Sequence, residues 1–273
     1  VPVRGDGCPS SDSDTDAYSN PDPDAHPDAD PKSSGRHSDH DADGRGHLRE
    51  RAEGAVMPFP TTGLLDDFNR ADEDPLANGT WSGPVRSGQA QCEVNTNQVS
   101  GNTGTNGSYW SVASFGPDME AYIDVPVKAG SGDHEYLYAR CANFGLTTFS
   151  GYRVIVISRP ADLDDWFLTR FDNNVSTTLV GPTAQTFLAG DSFGIECIGS
   201  VIKSYRKTGG TWTQIQSVTD TTYNAVSQIG LGGITTVYRL DNFSGGTVVA
   251  AGVGRVGHGA LLSGFRNQVI QRV

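Results

Sequence analysis

Residues 190–215 read GDSFGIECIGSVIKSYRKTGGTWTQI, and this stretch decides the fold. Three strand-length segments, 193–198, 201–207 and 212–218, follow one another with no helical period between them. Two are joined by Thr208-Gly209-Gly210-Thr211, where paired glycines supply the positive φ angles that a two-residue hairpin connection demands. A meander of short antiparallel strands is the natural product.

The same pattern extends outward. Upstream, residues 119–127 alternate: Met119, Ala121, Ile123, Val125 and Val127 share one face, and Glu120, Tyr122 and Asp124 take the other. In 135–141, Leu137, Ala139 and Cys141 are expected inward, with Tyr136, Tyr138 and Arg140 opposite. Residues 152–158 read as apolar on both faces and therefore central. Segments 166–171 and 238–243 complete the set, and strands at this spacing predict a sandwich or barrel. The 34 glycines suit many tight turns.

The strand-rich region has a sharp upstream edge near Met57. Residues 1–56 hold 13 acids against 6 Lys/Arg, over half of the chain's net charge of −12, in a low-complexity run of Asp, Pro, Ser and His. So little apolar surface cannot offset the entropy of ordering, which predicts a disordered acidic leader over 1–62, a sandwich over 63–249 and a Gly-rich tail over 250–273. The switch at Met57, in a chain that opens on Val, leaves a second reading of 1–56 open, as sequence upstream of the true start. The tail reads either as flexible or as a docking segment for a neighbouring subunit.

Charge and hydropathy exclude whole classes of function. An acidic surface without a Lys/Arg run repels phosphates, which argues against nucleic-acid binding. The longest strongly apolar stretch, 154–157, is strand-length, so no membrane span is expected. Four dispersed cysteines, Cys8, Cys92, Cys141 and Cys197, form neither a disulfide scaffold nor a zinc site with CxxC spacing. Buried thiols at Cys141 and Cys197, or a disulfide between them across the sandwich, both stay open.

Leu65-Asp66-Asp67-Phe68-Asn69-Arg70-Ala71-Asp72 at the start, residues 190–215 in the middle and Leu240-Asp241-Asn242-Phe243 at the close resemble the laminin-G-like branch of the concanavalin A-like lectin/glucanase superfamily. The resemblance covers about residues 63–248. It implies an all-β, two-sheet antiparallel jelly-roll sandwich whose first and last strands lie side by side. It implies little about function, because this jelly roll carries lectins, glycan hydrolases, adhesins and virion proteins of bacterial viruses.

Glucanases of the superfamily cluster carboxylates as E-x-D-x-x-E on one strand, so that one acid attacks and another donates a proton. Glu120 and Asp124 come nearest but lack the spacing and the third acid, and read as solvated outward positions. Gly190-Asp191-Ser192-Phe193-Gly194 matches the nucleophile elbow G-x-S-x-G, which needs a strand-turn-helix setting; here a strand follows, and the one downstream histidine, His258, falls in the tail. The chain is therefore expected not to be an enzyme.

In the leader, Asp39, Asp41, Asp43, Gly44 and Glu50 satisfy the EF-hand loop formula. Gly46 stands where an apolar residue belongs, and no amphipathic helix flanks the loop, so the expectation is weak, delocalised cation binding. Calcium at Asp39, Asp41, Asp43 and Glu50 is the one cofactor candidate. Arg4-Gly5-Asp6 matches the integrin tripeptide at the level that chance supplies.

The expected ligand-binding residues are the outward aromatic and basic side chains Tyr136, Tyr138, Arg140, Trp166, Arg170 and Tyr205, whose flat faces and fork-shaped donors suit stacking on sugars and bonding to hydroxyls. The expected function is a non-catalytic carbohydrate-binding or adhesive module, at an extracellular, cell-surface or virion location, with a polysaccharide or glycan surface as partner. The alternative is a virion structural protein, a capsid decoration or tail component whose termini dock on neighbouring virion subunits.

Overall fold

The structure, a computed structural model, is described over residues 58–225 and 227–249. In chain order the strands are β1 (Leu64–Asp66), β2 (Trp81–Ser82), β3 (Cys92–Asn95), β4 (Gln98–Gly101), β5 (Thr105–Trp110), β6 (Met119–Val127), β7 (His134–Ala142) and β8 (Ser150–Ile157). They continue with β9 (Leu163–Asp172), β10 (Val175–Thr186), β11 (Ser192–Ile198), β12 (Val201–Thr208), β13 (Thr211–Thr219), β14 (Gln228–Ile234) and β15 (Arg239–Thr247). Apart from one 3-10 turn at Pro160–Asp162, no helix occurs among the described residues, and none is long and apolar enough to cross a membrane.

Two antiparallel sheets form the expected all-β sandwich. The first runs β13-β12-β11-β6-β15-β4-β3 with β1 also on β15, and the second runs β10-β9-β8-β7-β14-β5-β2. The hairpin read from residues 208–211 is present: Thr208 faces Thr211, with Gly209 at φ 56° and Gly210 at φ 85°. First and last strands do lie side by side, Leu64 opposite Ser244 and Asp66 opposite Phe243. The Asp66 carboxylate holds that opening in place, accepting from the Phe68 N–H, Arg70 Nη1 and Trp81 Nε1 at 2.7–2.8 Å.

Alternation fills the space between the sheets. Met119, Ala121, Ile123 and Val125 meet Leu137, Ala139, Val154, Val156, Phe193 and Ile195 there, all fully buried. Each of these side chains other than the two alanines contributes about 1.5–3 kcal/mol by leaving water. Val127, at the end of β6, is 42% exposed and leaves the expected row. Cys92, Cys141 and Cys197 are buried free thiols, and burial pushes the Cys197 thiol up to about 12.

Two sequence expectations fail for stated reasons. In β7 the pairing register shifts between Ala139 and Ala142, and Arg140 adopts φ 51°. This bulge inverts the alternation, so Cys141 packs in the outer cluster while Arg140 turns inward. Glu120 is not solvated. It is fully buried because residues 59–62, upstream of Gly63, lie against the outer face of the first sheet; the N–H and hydroxyl groups of Thr61 and Thr62 all donate to Glu120 Oε1. Asp124 accepts from Ser192 Oγ and Asn242 Nδ2 and is likewise engaged.

Candidate ligand-binding face

The outer face of the second sheet carries a second set of buried side chains, separate from the main core. Pairing across β7, β8 and β9 sets Tyr136 beside Ile155 beside Phe167, and Tyr138 beside Arg153 beside Thr169, in adjacent rows. His134 and Ile157 form the next row. On β14, Gly230 and Gly232 pair with Tyr138 and Tyr136, and a Cβ at either would press on a backbone carbonyl of β5, so this strip can carry no side chain.

Rings surround the centre of the face. Tyr136 and Tyr138 lie 6.0 Å apart, Tyr138 meets Phe149 at 6.0 Å, and Phe149 meets Phe171 at 5.4 Å, each pair edge-on. Edge-to-face pairs of this kind contribute about 0.5–1.5 kcal/mol beyond area burial. Among them sits the Arg153 guanidinium, 4.5 Å from the Tyr136 ring centre and 4.6 Å from that of Phe171. A desolvated cation over a ring gains about 2 kcal/mol, which helps to hold Arg153 in a strand that is otherwise hydrophobic.

Polar groups fix the arrangement. Arg153 Nε donates to Thr169 Oγ1 at 3.4 Å. The side-chain amide of Gln89 bonds the Tyr138 hydroxyl at 3.1 Å. His134 Nδ1 lies 2.9 Å from the Tyr136 hydroxyl; burial and then the Arg153 charge hold its imidazole below the ordinary range. Arg86, from the loop between β2 and β3, closes one side with its guanidinium 4.3 Å from the Phe171 ring centre. The result is a mostly buried aromatic cluster around a guanidinium, with Phe167, Ile157 and Arg86 as its partly exposed members.

Of the six expected ligand residues, Tyr136 and Tyr138 are brought together here, and the other four are not. Arg140 is committed to the carbonyls of Pro117 and Tyr223. Trp166 is fully buried in the main core, because the inward row of β9 is Trp166 and Leu168 while Phe167 takes the outer side. Arg170 is tied to Asp172 and Asp220 at 2.8 and 2.6 Å. Tyr205 faces outward on the opposite sheet, where its hydroxyl donates to Glu196 and the Phe59 ring covers it.

Sequence reasoning missed Arg153, His134 and Arg86. The signal for Arg153 was present: a lone cation in the most hydrophobic strand of the chain has to find either a carboxylate or an aromatic cage. The Asp39, Asp41, Asp43 and Glu50 set lies outside the described residues, as do Arg4-Gly5-Asp6 and His258. No group of three or more His, Cys, Asp or Glu side chains that could hold a metal occurs among the described residues.

No protein-family profile matches the chain, and no curated protein matches it. Among solved structures it is similar to the carbohydrate-binding module CBM66 from Bacillus subtilis, at 17% identity over 61% of this chain and 95% of that one, with a TM-score of 0.46. It is also similar to the exoplasmic/lumenal domain of VIP36 in its Ca2+/Man3GlcNAc-bound form, at 12% identity over 63% and 85%, TM-score 0.49. A xylan beta-1,4-xylosidase from Bacillus halodurans matches at 11% identity over 70% of this chain but 40% of that one, TM-score 0.46.

Proposed function

We propose that this chain is a non-catalytic glycan-binding or adhesive module, working outside the cell or on a surface, that holds a polysaccharide on the outer face of its second sheet. The observation that supports this reading is the Tyr136–Arg153–Phe171 cluster: two rings flank a guanidinium, and the partly exposed Phe167 and Ile157 lie beside it on the same face. Sugar rings present apolar C–H faces that stack on such side chains, and their hydroxyls accept from a planar fork of N–H donors.

Glycoside cleavage calls for a free pair of carboxylates about 5–10 Å apart. This face instead offers rings and cations, and Asp165, which pairs with Ile157, is bound to Arg159 at 2.8 Å. The chemistry suits retention rather than bond breaking.

Titration against a panel of soluble polysaccharides tests the reading. Binding to at least one polymer is expected, weakened about two- to tenfold by Tyr136→Ala, in line with about 0.5–1.5 kcal/mol for one lost aromatic partner, with no release of reducing ends. Release of reducing ends, or binding indifferent to Tyr136, contradicts it; recovery of the chain in repeating copies within a virus particle would favour the virion alternative.

A further inference from the structure

The platform carries two positive charges without an internal counter-charge. Arg70, Arg140, Arg159 and Arg170 each sit within 4 Å of a carboxylate. Arg86 and Arg153 have no such partner among the described residues. Their Nε groups are spent on neutral acceptors, Asn174 Oδ1 at 3.1 Å and Thr169 Oγ1 at 3.4 Å. Both guanidiniums lie on the one Phe171 ring, 4.3 and 4.6 Å from its centre, so like charge is gathered on a single side chain.

This arrangement is costly on its own terms. Arg153 is only 6% exposed, and a buried charge without an opposite partner is among the most expensive features a fold can keep. Burial and the neighbouring Arg153 charge hold the Arg86 guanidinium below its usual range. The chain has twelve more acids than Lys/Arg, yet none of the described acids is placed against this pair. The Arg153 Nη atoms make no hydrogen bond to a described residue and are not among the polar atoms sealed from solvent, so they remain reachable from outside.

We infer that Arg86 and Arg153 together receive an anionic group of the ligand, a carboxylate or a sulfate, so that the polysaccharide held by this face is an acidic one. The inference rests on the glycan-binding reading above. A guanidinium fork matches both groups with paired N–H···O bonds, and an anion seated between two guanidiniums removes the repulsion that a neutral hydroxyl would leave in place. Phe167 and Ile157, partly exposed on the same face, then supply the apolar contact for the sugar ring that bears the charge. Because the chain as a whole is acidic, long-range attraction for a polyanion is absent and recognition has to be local.

The test measures dissociation constants for polygalacturonate and its carboxyl-reduced form, for dextran sulfate and for neutral dextran. Wild type is compared with Arg86→Gln, Arg153→Gln, Tyr136→Ala and, as a charge control on the other sheet, Lys207→Gln. At least one anionic polymer is expected to bind more tightly than its neutral counterpart, and loss of one charge-assisted bond pair predicts a weakening of about tenfold or more in each Arg variant. Lys207→Gln should match wild type. Preference for polygalacturonate over its reduced form assigns the carboxylate, and preference for dextran sulfate over dextran assigns the sulfate. Arg86 lies on a loop, so Arg86→Gln decides the matter even where Arg153→Gln fails to fold. If neutral polymers bind as well as anionic ones and only Tyr136→Ala weakens them, the acidic-ligand inference falls and the glycan reading stands; if no polymer binds, both fall.

Discussion

The Phe59 ring stacks on the Tyr205 ring with centroids 4.0 Å apart and planes 4° from parallel. Trp212 and Tyr122 meet the same Phe59 ring edge-on, at 4.9 and 5.9 Å. The outer face of the first sheet is thus covered, at its aromatic centre, by the chain's own residues 59–62. On the outer face of the second sheet Tyr136 and Ile155 are buried in a cluster with Val85, Phe149 and Phe171, and Ile157 and Phe167 are the partly exposed side chains of that strip.

Phe59→Ala should lower stability by about 2–4 kcal/mol, toward the low end of buried Phe truncations because the ring lies at a sheet surface. It should also shift Trp212 emission to longer wavelength. Gly194→Val should act the same way, since a Cβ there collides with the Phe59 ring. Denaturant titration followed by fluorescence checks both, and an unchanged midpoint contradicts the packing.

Glu135 makes stability depend on pH. Burial pushes its carboxyl up to about 8, against the hydrogen bond from the Ala129 N–H, which favours the charged form. With the folded value above the unfolded one, its contribution is complete below about 4.5 and is lost as pH rises toward about 8. Glu135→Gln keeps the neutral shape, so its advantage over wild type should be small at pH 5 and should grow through pH 8.5. Unfolding midpoints at the two values decide it; a constant difference contradicts it.

Asp220 works in the opposite direction. Burial raises its carboxyl, but hydrogen bonds from Thr222 and Tyr152 and the Arg170 ion pair outweigh this and hold it at about 2. Its contribution is present above the unfolded value and lost as pH falls through the folded one. Asp220→Asn should therefore differ from wild type at pH 7 and converge with it near pH 2. Arg170→Ala should cost stability without changing ligand affinity, because Arg170 braces a loop on the opposite side of β9 from the platform.

Trp166 separates core from site. Its Nε1 has no hydrogen-bond partner, so Trp166→Phe removes an unsatisfied buried donor along with some volume and should cost less than about 1.5 kcal/mol, whereas Trp166→Ala should cost about 3–5 kcal/mol. Calorimetry checks the pair. Affinity for ligand should be unaltered in the folded fraction of either variant.

The fold was readable because its decisive signals are local. Gly209-Gly210 set a hairpin, and the period-two rows of β6 and β11 define a buried side without any long-range information. Six strands were not read: β2, β3, β4 and β5 are only two to six residues long, β10 holds Gly181-Pro182 within a mostly exposed run, and β14 holds three glycines.

The site was half readable. Tyr136 and Tyr138 share parity on one strand, and parity is a sequence property. Arg140 broke the rule at a bulge, which no pattern in residues 135–141 announces. Trp166 was misplaced because β9 carries large apolar side chains on both sides, Trp166 and Leu168 inward, Phe167 and Phe171 outward. Tyr205 was assigned to the correct side of its strand, but the cover over it comes from residue 59, far away in sequence.

The most direct test of the account is amide and side-chain chemical-shift mapping by NMR as an oligosaccharide of the best-binding polymer is added. The account predicts that perturbations concentrate at His134, Tyr136, Arg153 and Phe167, with Arg86 among them, and leave Lys207 and Trp212 unmoved. Perturbations centred on Lys207, Tyr205 and Trp212 instead, with the second sheet silent, would contradict it.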